Sequence, residues 1–180
     1  MLVRPGCEMS RFFLIGFALL GLQSMACAQG ADEVFTIYLV RHAERESEAK
    51  DPGNPVLTSC GELRADSIAR VLSDIDLEKV YSTSFERTLG TARPSAESRQ
   101  LEIDIYDPRK LGGFSALLLE KQQNALVVGH SDTTGVLAGL LADESGVEFA
   151  EDIYDRVYQV VILNGQGYIN LFHQAFNCGP

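Results

Sequence analysis

The sequence predicts an α/β three-layer sandwich: a mostly parallel central sheet, covered by helices on both faces, with a C-terminal hairpin. Three observations carry that prediction. Residues 34–40 and 125–128 are apolar runs broken only by Thr36, and such runs suit strands buried on both faces. Stretches of helical periodicity alternate with them, which builds a helix-covered parallel sheet. Residues 157–163 and 168–173 read as strands joined by Asn164-Gly165-Gln166-Gly167, a hairpin signal.

The elements follow in chain order. The strand at 34–40 leads to a helix in which Ala65, Ile68, Ala69, Leu72 and Ile75 recur at helical spacing, with Ser59 and Glu62 as its capping box. A short strand comes near 79–81. Thr83 and Glu86 are spaced to cap a second helix, which Pro94 kinks or ends. Asp107-Pro108 reads as an N-cap and first-turn proline, opening a third helix to about Lys121. After the strand at 125–128, Ser131 or Asp132 opens a fourth helix through Leu141. The order is β-α-β-α-β-α-β-α-β-β.

Composition narrows the class. Of 180 residues, 46% are apolar and 22% charged, with 16 Gly and 6 Pro. Those values exclude a disordered chain, a collagen and a disulfide-dense miniprotein. No run of 18 apolar residues occurs, so a polytopic membrane protein is excluded too. Arg11, the uncharged stretch 12–22, and then Ala26 and Ala28 follow the order of a secretory signal. The expected division is a signal peptide at 1–28 and one domain at 29–180, periplasmic or secreted. The apolar stretch spans only about half a bilayer core, so no stable membrane insertion is expected after cleavage.

The formal charge is −10. Residues 1–28 carry Arg4 and Arg11 against Glu8, so their removal leaves 13 basic and 24 acidic residues, or −11. That balance argues against nucleic acid or anionic lipid as a partner. An anionic substrate then needs a local positive pocket. Cys60 and Cys178 remain after cleavage, and they fit either a bridge closing a long loop or two buried thiols.

In helix-covered parallel sheets, ligands bind where strands end. Three strand ends carry chemistry: Arg41-His42 with Arg45, the segment Ser82-Thr83 leading to Arg87, and Gly129-His130-Ser131. Two guanidiniums and two imidazoles can converge there on one anion. A phosphoryl group matches forked arginine donors, an imidazole can take that group up, and backbone N–H groups after Ser131 add an anion site.

The motifs Leu39-Val40-Arg41-His42, Asn54-Pro55-Val56-Leu57-Thr58 to Gly61, Tyr81-Ser82-Thr83 through Arg87-Thr88 to Thr91-Ala92, and Val127-Val128-Gly129-His130-Ser131 occur in this order. Together they resemble the histidine phosphatase superfamily, the fold shared by phosphoglycerate mutases and acid phosphatases. The resemblance implies a phosphoglycerate mutase-like sandwich with His42 as nucleophile, becoming phosphohistidine. Arg41, Arg87 and His130 would bind the transferring group. Arg45 is a candidate further phosphate or leaving-group contact, with a solvated surface arginine as the alternative, and Ser131 is a candidate substrate contact.

The general acid is the open point. The acid-phosphatase branch has an aspartate where Ser131 stands, and Asp132 comes one residue later. The mutase-like branch draws a carboxylate from a region that here offers Glu102, Asp104 and Asp107. Asp107 is the first choice, with an N-cap role as its competitor, and Glu44 is another candidate. A metal site built from His42, Glu44, His130 and Asp132 is the rival chemistry, but Arg41, Arg45 and Arg87 would crowd the cation. The expectation is a metal-independent phosphatase without cofactor. Its substrate is a small phosphomonoester or phosphoramidate, or a phosphorylated envelope component. A weakly catalytic phosphate-binding module and a mutase-type phosphotransferase are the alternatives.

Overall fold

The computed structural model describes residues 33–146 and 148–178. The expected signal segment, 1–28, lies outside the described residues. Strands and helices alternate as expected: β1 (Val34–Arg41), α1 (Ser59–Val71), β2 (Lys79–Ser82), α2 (Glu86–Glu97), β3 (Ile103–Ile105), α3 (Leu111–Lys121), β4 (Ala125–Gly129), α4 (Thr134–Ala142), β5 (Arg156–Leu163) and β6 (Gln166–His173). The sheet order is β3-β2-β4-β1-β5-β6. The first four of these are parallel, β5 pairs antiparallel with β1, and β6 pairs antiparallel with β5.

Side chains alternate across a strand, so a strand apolar at every position feeds two cores. β1 sends Phe35, Ile37 and Leu39 toward Phe114 and Leu118 of α3 and Leu137 and Leu141 of α4. It sends Tyr38 and Val40 toward Ile68 of α1 and Ala92 and Ala96 of α2. Ile37 and Leu39 have no exposed surface, and burial of each contributes about 1.5–3 kcal/mol.

The helix starts differ from expectation. α1 is capped by Thr58, whose hydroxyl accepts the Gly61 N–H at 3.0 Å, so Ser59 is already helical. Thr83 does not cap α2, which follows Phe85 without a side-chain cap. Pro94 lies inside α2, which runs on to Glu97. Proline withholds a donor but keeps its carbonyl, and that carbonyl accepts from Ser98 N–H at 3.2 Å. Asp107 and Pro108 form a turn before α3, closed by Lys110 N–H on the Asp107 carbonyl at 3.0 Å. Ser131 and Asp132 also precede their helix. The Thr133 hydroxyl accepts His130 N–H at 2.9 Å and the Thr134 hydroxyl donates to His130 C=O at 2.8 Å, making a separate turn before α4.

The hairpin turn is shorter than expected. Asn164 (φ 51°) and Gly165 (φ 82°) form a two-residue loop, and Gln166 and Gly167 already belong to β6. Positive φ at both turn residues suits the twist of the flanking strands, and Asn and Gly adopt it readily.

Cys60 and Cys178 form a disulfide, with Cα atoms 5.6 Å apart across 118 residues of sequence. The bridge ties the segment after β6 to α1. Beside it, Arg64 is 6% exposed and donates to Gln174 Oε1 at 3.1 Å, with its guanidinium 4.8 Å from the Phe176 ring centre. The same guanidinium grips Glu44, two residues past His42, through Nε at 3.0 and 2.9 Å and Nη2 at 2.6 Å. Gly61 permits this approach, because a Cβ there would stand 2.2 Å from the Glu44 carbonyl oxygen.

Candidate active site

Parallel strands all end on one side, so neighbouring ends collect the residues that follow them. β2, β4 and β1 are adjacent, and His42 N–H donates to the Gly129 carbonyl at 3.0 Å. This brings Arg41-His42 beside His130, and the first turn of α2 adds Arg87. These four residues line one cavity of about 460 Å³. Arg45, Ser131, Phe85, Asp132 and Glu151 contribute to the same wall.

His42 is 3% exposed. Its Nδ1 lies 2.8 Å from the Ala43 carbonyl oxygen. A carbonyl only accepts, so Nδ1 carries the hydrogen and Nε2 keeps its lone pair. Burial, reinforced by Arg41, Arg87 and His130 and opposed by the Ala43 bond, holds its pKa down to about 3. The His130 ring centre stands 5.6 Å from that of His42 and 5.3 Å from that of Phe85. Burial, and then the Arg87 charge, lowers His130 to about 4. Both imidazoles are therefore neutral at neutral pH.

Acid should consequently destabilise the fold. A histidine in the unfolded chain titrates near pH 6.5, above both folded values, so unfolding takes up protons. The contribution is fully present above about pH 6.5 and shrinks as pH falls toward 4. By pH 5 the loss reaches up to about 2 kcal/mol for each histidine. Urea unfolding between pH 7 and 4.5 reads the slope, and His130→Asn should flatten it. A slope unchanged by that substitution would show that His130 is solvated.

Arg41 is 3% exposed and held by carbonyls of the segment before β5. Its Nη1 donates to Glu151 at 2.5 Å, Ile153 at 3.0 Å and Ala150 at 3.4 Å, and its guanidinium lies 4.2 Å from the Tyr154 ring centre. The Arg87 guanidinium lies 4.4 Å from the Phe85 ring centre. Burial lowers both arginines from the ordinary value. The Nε–H groups of Arg41 and Arg87 are buried without a hydrogen-bond partner. A buried orphan donor is costly, so two of them beside one cavity favour an anionic occupant.

The carboxylates sort differently from expectation. Asp107 does not line the cavity. Arg109 binds it through Nε at 2.9 Å, Nη2 at 3.1 Å and backbone N–H at 3.1 Å, and these bonds lower its pKa. A group held ionised in this way is a poor proton donor. Glu44 is committed to Arg64, and Asp104 pairs with Lys79 at 3.0 Å. Neither lines the cavity, so the metal set that included Glu44 does not assemble. Asp132 does line it, and so does Glu151, which sequence reasoning missed. Glu151 lies 3.9 Å from Arg45. Glu151 and Tyr154 occupy an irregular segment with no periodicity to single them out.

Fold and cavity together define an α/β protein suited to holding a tetrahedral oxyanion at the C-terminal edge of a parallel sheet. Residues 37–109 match the model of the histidine phosphatase superfamily, branch 1. The match covers 73 of the 180 residues, and the fold is the one that the solved histidine phosphatase structures share. No curated protein matches the sequence. Among solved structures, the protein histidine phosphatase SixA complexed with tungstate is 19% identical, with TM-score 0.64, covering 77% of this chain and 97% of that one. The alpha-ribazole phosphatase from Shigella flexneri is 17% identical, with TM-score 0.65 and coverage of 78% and 96%. A phosphoserine phosphatase from Entamoeba histolytica, in complex with 3-phosphoglyceric acid, is 15% identical, with TM-score 0.61 and coverage of 78% and 98%.

Proposed function

We propose that this chain is an exported phosphatase that hydrolyses phosphomonoesters or phosphoramidates through a phosphohistidine on His42. The observation that carries the reading is the neutral His42 ring, its hydrogen committed to Ala43 and its Nε2 lone pair left beside Arg41, Arg87 and His130. Nε2 attacks phosphorus, an N–P bond forms and the bond to the leaving group breaks. The arginines stabilise charge on the equatorial oxygens. Water then attacks the phosphohistidine, releasing inorganic phosphate and regenerating His42. A departing alkoxide at the mouth meets Asp132 and Glu151, the carboxyl groups of the cavity wall. A phenolate or a protonated phosphoramidate nitrogen departs without such help.

Arginine charge does here what a divalent ion does in other phosphatases, which supports metal independence. The Cys60–Cys178 bridge supports export, because such bridges persist in oxidising compartments. The substrate expected there is a small phosphorylated molecule or a phosphorylated envelope component. Purified protein should hydrolyse para-nitrophenyl phosphate in EDTA. Tungstate, an oxyanion present in the SixA structure, should inhibit it. Turnover that EDTA abolishes and a divalent ion restores would overturn the reading.

A further inference from the structure

We infer that Asn54 is a positioning residue for the anion site: from the turn at 51–55 it caps α2 and so holds Arg87 at the cavity. The phosphoryl group as occupant rests on the reading above, whereas the cap stands apart from it. Asn54 opens the motif Asn54-Pro55-Val56-Leu57-Thr58, yet it does not itself line the cavity.

The first N–H groups of a helix have no partner within it, so an uncapped first turn frays. α2 begins at Glu86, and its N-cap residue, Phe85, makes no side-chain cap. Arg87 is the second residue of that turn. Asn54 supplies the missing acceptor from 32 residues upstream, its Oδ1 lying 2.8 Å from the Glu86 N–H. A backbone N–H only donates, so the amide atom facing it is the oxygen and the direction of the bond is fixed.

Arg87 depends on this turn more than Arg41 depends on its strand. Three carbonyls hold the Arg41 guanidinium. No acceptor among the described residues meets the buried Nε–H of Arg87. Its aim is left to the helix turn that carries it and to the Phe85 ring. The segment bearing Asn54 is in turn well held. Asn54 N–H donates to the Asp51 carbonyl at 3.1 Å, and Gly53 N–H to Asp51 Oδ1 at 3.0 Å. Glu46 N–H donates to the Val56 carbonyl at 2.9 Å, and Leu57 forms an isolated bridge with Arg45. Pro52, Gly53 and Pro55 line one part of the cavity wall, and Phe85 and Arg87 another. Asn54 joins the two, linking the segment after His42 to the helix that carries Arg87.

Titration of the full chain with inorganic phosphate, followed by NMR, tests this in a double-mutant cycle with Arg87. Asn54→Leu keeps the volume and lacks the acceptor, and it should weaken phosphate binding about fivefold, the worth of a helix cap. In an Arg87→Ala background the same substitution should change binding by less than about twofold. Asn54→Asp, an equivalent cap, should show no such dependence on Arg87, since any repulsion by its charge is common to both backgrounds. Equal losses from Asn54→Leu in both backgrounds, or a dependence on Arg87 as large for Asn54→Asp as for Asn54→Leu, would overturn the inference. Asn54→Ala takes the place of Asn54→Leu if the latter does not fold. A wild type that binds no phosphate would sink the phosphatase reading, and the Arg87 Nε–H resonance then decides the cap. Movement of that resonance by Asn54→Leu but not by Asn54→Asp supports the inference, and any other pattern overturns it.

Discussion

His42→Ala should reduce turnover of para-nitrophenyl phosphate by at least about 10⁴-fold while leaving the far-UV circular dichroism of the wild type. The scale is that of deleting a covalent nucleophile, where only binding and charge stabilisation survive. Nothing else in the cavity can replace Nε2. His130 has its Nε2 turned to Thr83, away from the position of attack. Rapid quenching of the wild type with ³²P-labelled substrate should trap label on His42 that survives alkali and is lost in acid, as a phosphoramidate must be. His42→Ala should trap none. A variant retaining most of the wild-type rate would remove His42 from the mechanism, whatever the fold.

Replacing Cys60 and Cys178 with serine should destabilise the chain by about 4–5 kcal/mol, the chain-entropy value for a loop of this length. That is a large share of the 5–15 kcal/mol typical of a whole domain. Urea unfolding with and without reductant measures it. The bridge closes 118 residues of sequence, most of the described domain. The contacts of Gln174 and Phe176 with Arg64 hold the same tail, but they are a single hydrogen bond and a cation–π contact, individually worth about 1 kcal/mol. A loss below about 1 kcal/mol on reduction would mean that the reduced unfolded chain is already compact enough to keep these ends together.

The strands were legible because burial on both faces leaves an apolar run that few other environments tolerate, as in β1 and β4. The hairpin was legible because Asn164-Gly165 supplies two positive φ angles. Three of the four helix starts were misread for a common reason: residues that look like caps lie in or beside the cavity and make other contacts there. Thr83 faces His130, Asp107 grips Arg109, and Ser131 and Asp132 line the cavity. A hydroxyl or carboxylate has the same sequence signature whether it caps a helix or orients a catalytic ring. Arg41, His42, Arg87 and His130 could be picked because strand ends point to one edge. Glu151 and Tyr154 could not, since they arrive through an irregular segment whose path depends on the folded Arg41. The disulfide needed the path of the tail, which spacing does not reveal.

The cavity wall includes Arg41, Arg45, Arg87 and Arg109, yet the chain as a whole carries a formal charge of −10. An approaching dianion meets these two fields at different ranges. At about 0.01 M salt the screening length is about 30 Å, so the repulsion of the whole surface is felt well before the arginines are reached. At about 0.1 M it is about 10 Å, and the distant repulsion fades while contacts inside the cavity persist. Diffusional encounter with an anionic substrate therefore speeds up as salt is first added and slows only when the arginines themselves are screened. An enzyme that draws its substrate in through its overall field has the opposite ionic-strength profile from the outset.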